Sequence, residues 1–456
     1  MKNLSTLAIS VIWLVIGLVI TTTDIPDSQI YHNILVLYSF ASYILCMFNW
    51  AKSGNRLFSI YIIFIAYAMF SNLGQSILSL FPELDVLLFI YNVYSQSALI
   101  EMLKFQCLCV AALNLGSVFY LRNADNNIST EYLQNYYTNV NKNSSSRKTG
   151  LDVLLWISLL YMVYIAGRQL ILKQTMSYSE VYANRQVANI YLGFCSVGLG
   201  MYYILKKWNV RSIICIWAFL LFAFFAAGTR SQGIVYFGAL IVSLPLAFPR
   251  FTQKKYLPVW GVASFFGMAI LSAISASRQS SGFAQGIEGS WWLGFLASIQ
   301  EMGFSSRTII ATMQEVDSTG NYFQTILYAV MEFFLPADIV NMILPDTASI
   351  APGTWINTLH NENNEWGFSF ISEAYLNYGK LGWIFMLFYG YIIAYMENIS
   401  FKKYITSNNC IYALLFLPVL CRLIFYARGQ MQLTVDFARP AFYAFVLLMI
   451  IKKSKL

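Results

Sequence analysis

The chain has 456 residues, of which 58% are hydrophobic and 11% charged, with a net charge of +8 and a mean hydropathy of +0.58. A soluble domain carries about 25% charged and roughly 45–50% apolar residues, so a soluble enzyme and a disordered chain are excluded. An outer-membrane barrel is excluded too, because its strands read as short alternating segments rather than long apolar runs. An all-α polytopic membrane protein remains.

Apolar runs near span length occur at about 4–22, 30–50, 57–80, 98–121, 151–172 and 189–206. Others follow at about 211–229, 231–248, 256–276, 376–396, 409–427 and 437–451, which predicts about 12 transmembrane helices. The first run ends in Thr21-Thr22-Thr23-Asp24 rather than at a small-x-small cleavage site, so it is expected to be a span and not a signal peptide.

With the N-terminus inside, the cytoplasmic segments hold Lys2, Lys52, Arg56, Arg122, Lys142, Arg147, Lys148, Lys206, Lys207, Arg211, Arg250, Lys254 and Lys255, followed by Lys402, Lys403, Lys452, Lys453 and Lys455. Most external loops carry acids instead, beginning with Asp24 and Asp27. This lysine bias is the ordinary orientation signal of a membrane protein. It places both termini in the cytoplasm and removes the need for a nucleic-acid partner.

Three regions are therefore expected. Residues 1–276 carry spans one to nine, with an Asn- and Ser-rich cytoplasmic linker at 122–150. Residues 277–375 form one large external loop, rich in tryptophan, that is expected to hold short amphipathic helices lying on or dipping into the outer leaflet. Residues 376–456 carry spans ten to twelve. No repeat of 20–50 residues relates one part of the chain to another.

Eleven basic residues fall outside the cytoplasmic set: Lys104, Arg168, Lys173, Arg185, Arg230, Arg278, Arg307, Lys380, Arg422, Arg428 and Arg439. Here arginine outnumbers lysine, whereas lysine dominates inside. All lie at the external surface or in the outer part of a span, against the orientation rule. Arginine at membrane depth costs about 2.5–3.5 kcal/mol on insertion scales. Its planar fork grips phosphate oxygens in pairs, so convergence of these arginines would make a site for a phosphorylated or acidic ligand. Pairing with acids or snorkelling to headgroups is the simpler alternative.

Other polar residues are few. His32 begins span two and is expected at the interface. His360 lies in the most polar stretch of the long loop, where it is placed to handle a proton or a sugar hydroxyl. Glu101 and Lys104 are spaced to pair. Glu332 lies in an apolar stretch with no cation near it in sequence. Glu373, Asn377 and Lys380 are spaced so that one helix would present all three on one face. The seven cysteines lie in apolar runs and read as packing residues. Cys107-x-Cys109 lacks the second ligand pair that zinc needs, so no metal is expected.

The segment Glu373-x-x-x-Asn377-Tyr378-Gly379-x-x-Gly382, followed by an apolar run containing Gly390, resembles the C-terminal motif of O-antigen polymerases, the Wzy-type oligosaccharide repeat unit polymerases. Ala227-Gly228-Thr229-Arg230-Ser231-Gln232-Gly233, at a tight turn between spans seven and eight, resembles a second part of it. The order of parts is also similar, from many spans through the arginine turn and the large external loop to the Glu-Asn-Gly helix.

The resemblance implies a glycosyltransferase of the bacterial inner membrane, with no cofactor. It would join polyprenyl-diphosphate-linked repeat units at the periplasmic face, and a chain-length regulator is an expected partner. The undecaprenyl diphosphate of the donor fits the external arginines. On this reading Arg230, Arg278, Arg422, Arg428 and Arg168 bind diphosphate, and Glu373, His360 and Glu332 are the catalytic candidates. Asn377, Trp291, Trp355 and Trp366 would contact glycan, although interfacial anchoring is the favoured reading of any single tryptophan. Two other functions share these features, an O-antigen ligase and a lipid-linked oligosaccharide flippase. Transporters usually show related halves and midplane sites, and this chain shows neither.

Overall fold

The computed structural model describes residues 2–23, 28–53, 58–81, 83–84, 88–123, 149–175, 190–227, 230–248, 256, 258–262, 291–316, 324–344, 351–360, 368–406, 417–432, 434–435, 438–439, 442–443 and 446. The expected linker and the ninth span therefore fall almost wholly outside the described residues.

The described residues are helical, as a chain in hydrocarbon must be, since each backbone polar group has to be satisfied within its own segment. The N-terminal helices are α1 (Lys2–Thr22), α2 (Ser28–Lys52), α3 (Ile60–Leu78), the short α4 (Phe89–Val93) and α5 (Gln96–Asn123). Next come α6 (Thr149–Thr175), α7 (Ile190–Leu205), α8 (Val210–Ala226) and α9 (Arg230–Ala247). The segment expected outside holds α10 (Trp291–Gly303), α11 (Ser306–Glu315), α12 (Thr325–Phe334), α13 (Ala337–Ile343) and α14 (Pro352–Leu359). The last helices are α15 (Phe370–Tyr378), α16 (Gly382–Thr406) and α17 (Leu417–Tyr426).

Six helices are long and apolar enough to cross a membrane: Leu4–Thr22, Ser28–Lys52, Ile60–Leu78, Gln96–Arg122, Gly150–Lys173 and Phe370–Ser400. Each matches a run expected from the sequence. The runs at 189–206, 211–229 and 231–248 form the shorter apolar helices Tyr191–Leu205, Val210–Ala226 and Gln232–Leu244. The chain is a multi-pass membrane protein.

The core is organised around α5, against which α1, α2 and α16 pack. Asn114 of α5 ties two of them by side-chain bonds. Its Oδ1 accepts from Asn49 of α2 at 2.9 Å, and its Nδ2 donates to Ser10 of α1 at 3.2 Å. All three residues are buried, where an unsatisfied amide would be costly. At the α5–α16 crossing the backbones touch. A Cβ on Gly116 would lie 1.8 Å from the Leu387 carbonyl oxygen, and one on Gly390 would lie 2.1 Å from that of Leu113. Only glycine permits this approach, the small-residue packing of membrane helices.

A second group, α6 to α9, is joined to the first through α17, which packs on α3, α7, α9 and α16. The helices of the long segment are not detached from the body. Helix α10 packs along α3, α11 packs on α3, α5, α14 and α15, and α12 packs on α13 and α15. His32 is buried within the protein, 2% exposed, with Nε2 2.7 Å from the Tyr91 hydroxyl.

Candidate functional site

The motif segment is two helices, not one. Ser369 caps α15, accepting the Ile371 N–H at 3.1 Å, and it also bonds Asn72 of α3. Ser372 and Thr308 of α11 are hydrogen-bonded at 2.8 Å. Helix α15 ends at Gly379, whose φ of 54° is a backbone conformation that a side chain would strain. A single turn of 3-10 helix over Gly379–Leu381 then leads into α16. The break corrects the single-face expectation. Glu373 and Asn377 are buried together on α15, whereas Lys380 lies past the break and is exposed.

Glu373 is fully buried and receives three hydrogen bonds. Tyr426 O–H donates to Oε2 at 2.9 Å and the Met431 N–H to the same oxygen at 2.8 Å. Thr325 O–H donates to Oε1 at 3.3 Å. Among the described residues no cation pairs with it. Hydrogen bonds to a charged group are each worth about 1.5–3 kcal/mol net, and here they take the place of a counter-ion.

Asn377, one turn on, completes the arrangement. Its Nδ2 donates to Thr325 Oγ1 at 2.9 Å and to the Glu373 carbonyl at 2.7 Å. Its Oδ1 accepts the Ile326 N–H at 3.1 Å, one of the first-turn amides that a helix leaves without a partner. Glu373 and Asn377 thus hold the start of α12 on one side and the end of α17 on the other.

After α17 the chain turns through Ala427, Arg428, Gly429 and Gln430. The amides of Arg428 and Gly429 bond back to the carbonyls of Phe425 at 3.0 Å and Tyr426 at 3.2 Å. The turn is fixed at its far end by Glu373 through Met431. It is fixed from outside by Gln430, whose Oε1 accepts the Gly353 N–H of α14 at 2.8 Å. Arg428 sits on this turn, half-buried, and its side chain makes no hydrogen bond or ion pair among the described residues. Arg422, earlier on α17, lies over the Phe425 ring at 4.6 Å.

Helix α14 carries two further candidates. Trp355 is half-buried against the core, and His360 caps the C-terminal end, with its amide bonded to the Ile356 carbonyl at 3.2 Å. At 1.5 Å per residue His360 stands about 10 Å along the helix from Gly353.

The remaining sequence candidates disperse. Arg168 is exposed on α6, which packs on α7 and α8. Arg230 opens α9 and Trp291 opens α10, but their side chains lie outside the described residues, as do Arg278 and Trp366 altogether. Glu332 has a cation after all. Its Oε1 lies 2.6 Å from Arg439, so that arginine is neutralised by a residue far from it in sequence. Lys104 is paired with Glu101 at 2.8 Å, as its spacing indicates.

Breaking a buried pair from one side costs about 3–5 kcal/mol, whereas replacing both members with apolar residues is often neutral. Arg439 retains some exposure, so the lower end applies. Glu332→Ala should lower the unfolding temperature in detergent. Glu332→Met with Arg439→Met should restore it together with activity. An inactive but stable double variant would mean that Glu332 has a chemical role.

Sequence reasoning did not identify Thr325, Tyr426, Gln430 or the Met431 amide. Only the Tyr426-to-Gln430 stretch carries a local signal, a polar cluster closing an apolar run.

A family model described as O-antigen polysaccharide polymerase Wzy matches residues 6–456. No curated protein and no solved structure matches the chain.

Proposed function

Because the chain belongs to the O-antigen polysaccharide polymerase Wzy family, we propose that it transfers a growing glycan from its undecaprenyl-diphosphate carrier onto the next lipid-linked repeat unit, at the periplasmic face of the inner membrane. The observation that carries this reading is Arg428. It is a half-buried guanidinium that makes no hydrogen bond or ion pair among the described residues, on a turn held by Glu373 and by the Gly353 amide. A cation held in place with no counter-ion among the described residues suits a charged leaving group, because no ion pair with them has to break before it binds.

In the reaction a hydroxyl oxygen of the acceptor sugar attacks the anomeric carbon of the donor. The bond from that carbon to the diphosphate oxygen breaks, and the diphosphate departs with the electron pair. Arg428 and Arg422 receive the charge that develops on it, with Arg230, Arg278 and Arg168 as further candidates. A preorganised donor at such a position contributes about 3–4 kcal/mol to the transition state. His360 takes the acceptor proton, from a helix that Gln430 clips to the same turn. Glu373 holds the turn and does not touch substrate, since its oxygens are buried and already occupied by three donors. Asn377 supports the start of α12. Trp355, Trp291 and Trp366 remain candidates for glycan contact, and a chain-length regulator is the expected protein partner.

Purified protein in lipid vesicles, given a defined undecaprenyl-diphosphate-linked repeat unit, should produce products of two, three and more units and release undecaprenyl diphosphate. Transfer to lipid A core without extension, or transport of the substrate unchanged, would overturn the reading.

A further inference from the structure

The hairpin of α12 and α13 is apolar where it is exposed. On α12 the outward stripe is Leu327 at 45%, Val330 at 44% and Phe334 at 57% exposure, with no polar residue among them. The one charged residue of the helix, Glu332, is turned inward and paired. This is the pattern of the membrane-spanning helices, such as α16 with Phe388 at 60% and Ile392 at 46%.

Two attachments set the depth of the hairpin. At its start, Ile326 and Thr325 are bonded to Asn377, near the end of α15, which leads through the Gly379 turn into α16 within the apolar stretch Phe370–Ser400. At its end, Glu332 pairs with Arg439, and the rings of Phe333 and Phe334 lie 4.7 and 5.5 Å from that of Phe442. Both residues belong to the twelfth apolar run, at its outer end by the lysine orientation. The stripe therefore lies against residues of two apolar runs of the chain.

Helix α13 shows which part of the bilayer is involved. Its exposed residues divide, at 3.6 residues per turn, into an apolar side of Ile339, Met342 and Ile343 and a polar side of Asp338 and Asn341. A helix with buried, apolar and polar sides fits the boundary between headgroups and acyl chains.

We infer that the α12–α13 hairpin is seated in the outer leaflet, with Leu327, Val330, Phe334, Ile339 and Met342 in the acyl chains and Asp338 and Asn341 among the headgroups. The bilayer surface is then a direct partner of this segment, and the first turn of α12 couples it to Glu373 and Asn377. The inference does not depend on the reaction proposed above.

Photoreactive benzoylphenylalanine placed singly at Leu327, Val330 and Phe334, with Thr358 as an exposed comparison, tests this without removing the native cysteines. The full chain is reconstituted in vesicles of radiolabelled phosphatidylethanolamine and phosphatidylglycerol and irradiated. A phospholipid adduct is expected at the three α12 positions and none at Thr358. A doubled mass at these positions would assign the stripe to a second copy of the chain, and absence of any adduct would place it in water. Either result overturns the inference, and neither bears on whether the same preparation extends a lipid-linked repeat unit.

Discussion

Arg428→Ala is expected to reduce polymer formation at least about 100-fold while leaving the protein folded and inserted, the scale seen when one preorganised donor is removed from a developing anion. The guanidinium has no hydrogen-bond or ion-pair partner among the described residues, so its loss leaves no buried group without one. Stability should change by less than about 1 kcal/mol, as at other substitutions that break no contact. Arg428→Lys should recover part of the activity, because charge is retained and the paired geometry of the fork is lost. The measurements are the glycan ladder in a polymerase-null strain and extension by the purified protein, alongside thermal unfolding. Full-length ladders from Arg428→Ala would remove this residue from the site.

The second large effect separates two roles for Glu373. In Glu373→Ala, three donors lose their acceptor at once: Thr325, Tyr426 and the Met431 amide. Each orphaned buried group costs about 1–3 kcal/mol, enough to release the turn that carries Arg428. Loss of both activity and thermal stability is expected. Glu373→Gln is different. One amide oxygen still accepts from Tyr426 and Met431, and the amide nitrogen faces a Thr325 hydroxyl that can accept. If Glu373 positions the turn, the glutamine variant should keep activity within about tenfold and remain folded. A Glu373→Gln variant with unchanged unfolding temperature and no activity would make the carboxylate a proton carrier and refute the positioning role.

The spans were legible because hydrocarbon imposes long apolar runs, and the six longest apolar helices lie where those runs lie. The pairing of Glu373 and Asn377 on one face was legible for a similar reason, as it depends only on helical period. Lys380 broke the pattern because Gly379 ends the helix, and the spacing rule carries no information about a helix break. The partners of Glu373 were hidden for another reason. They lie 48 residues before it and 53 and 58 residues after it along the chain, on two separate segments. Only packing brings them together.

The basic residues followed the same logic. Sorting them by side isolated a pool rich in arginine, but the sequence did not say which members are neutralised. The fold answers this for Arg439, paired with Glu332, and for Lys104, paired with Glu101. Arg428 makes no hydrogen bond or ion pair among the described residues, and nothing in its neighbours along the chain distinguishes it from the others.

The backbone crossing of α5 and α16 divides the molecule into a stiff part and an adjustable one. Where Gly116 and Gly390 meet the opposing carbonyls, sliding either helix would drive Cβ atoms of adjacent residues into peptide groups. The frame that carries α15 therefore cannot ratchet. Helices α12 and α14 meet this frame differently, through side-chain hydrogen bonds of Asn377, Thr325 and Gln430 as well as packing. The structure thus joins a frame locked by backbone contact to flanking helices whose attachments can be exchanged one side chain at a time.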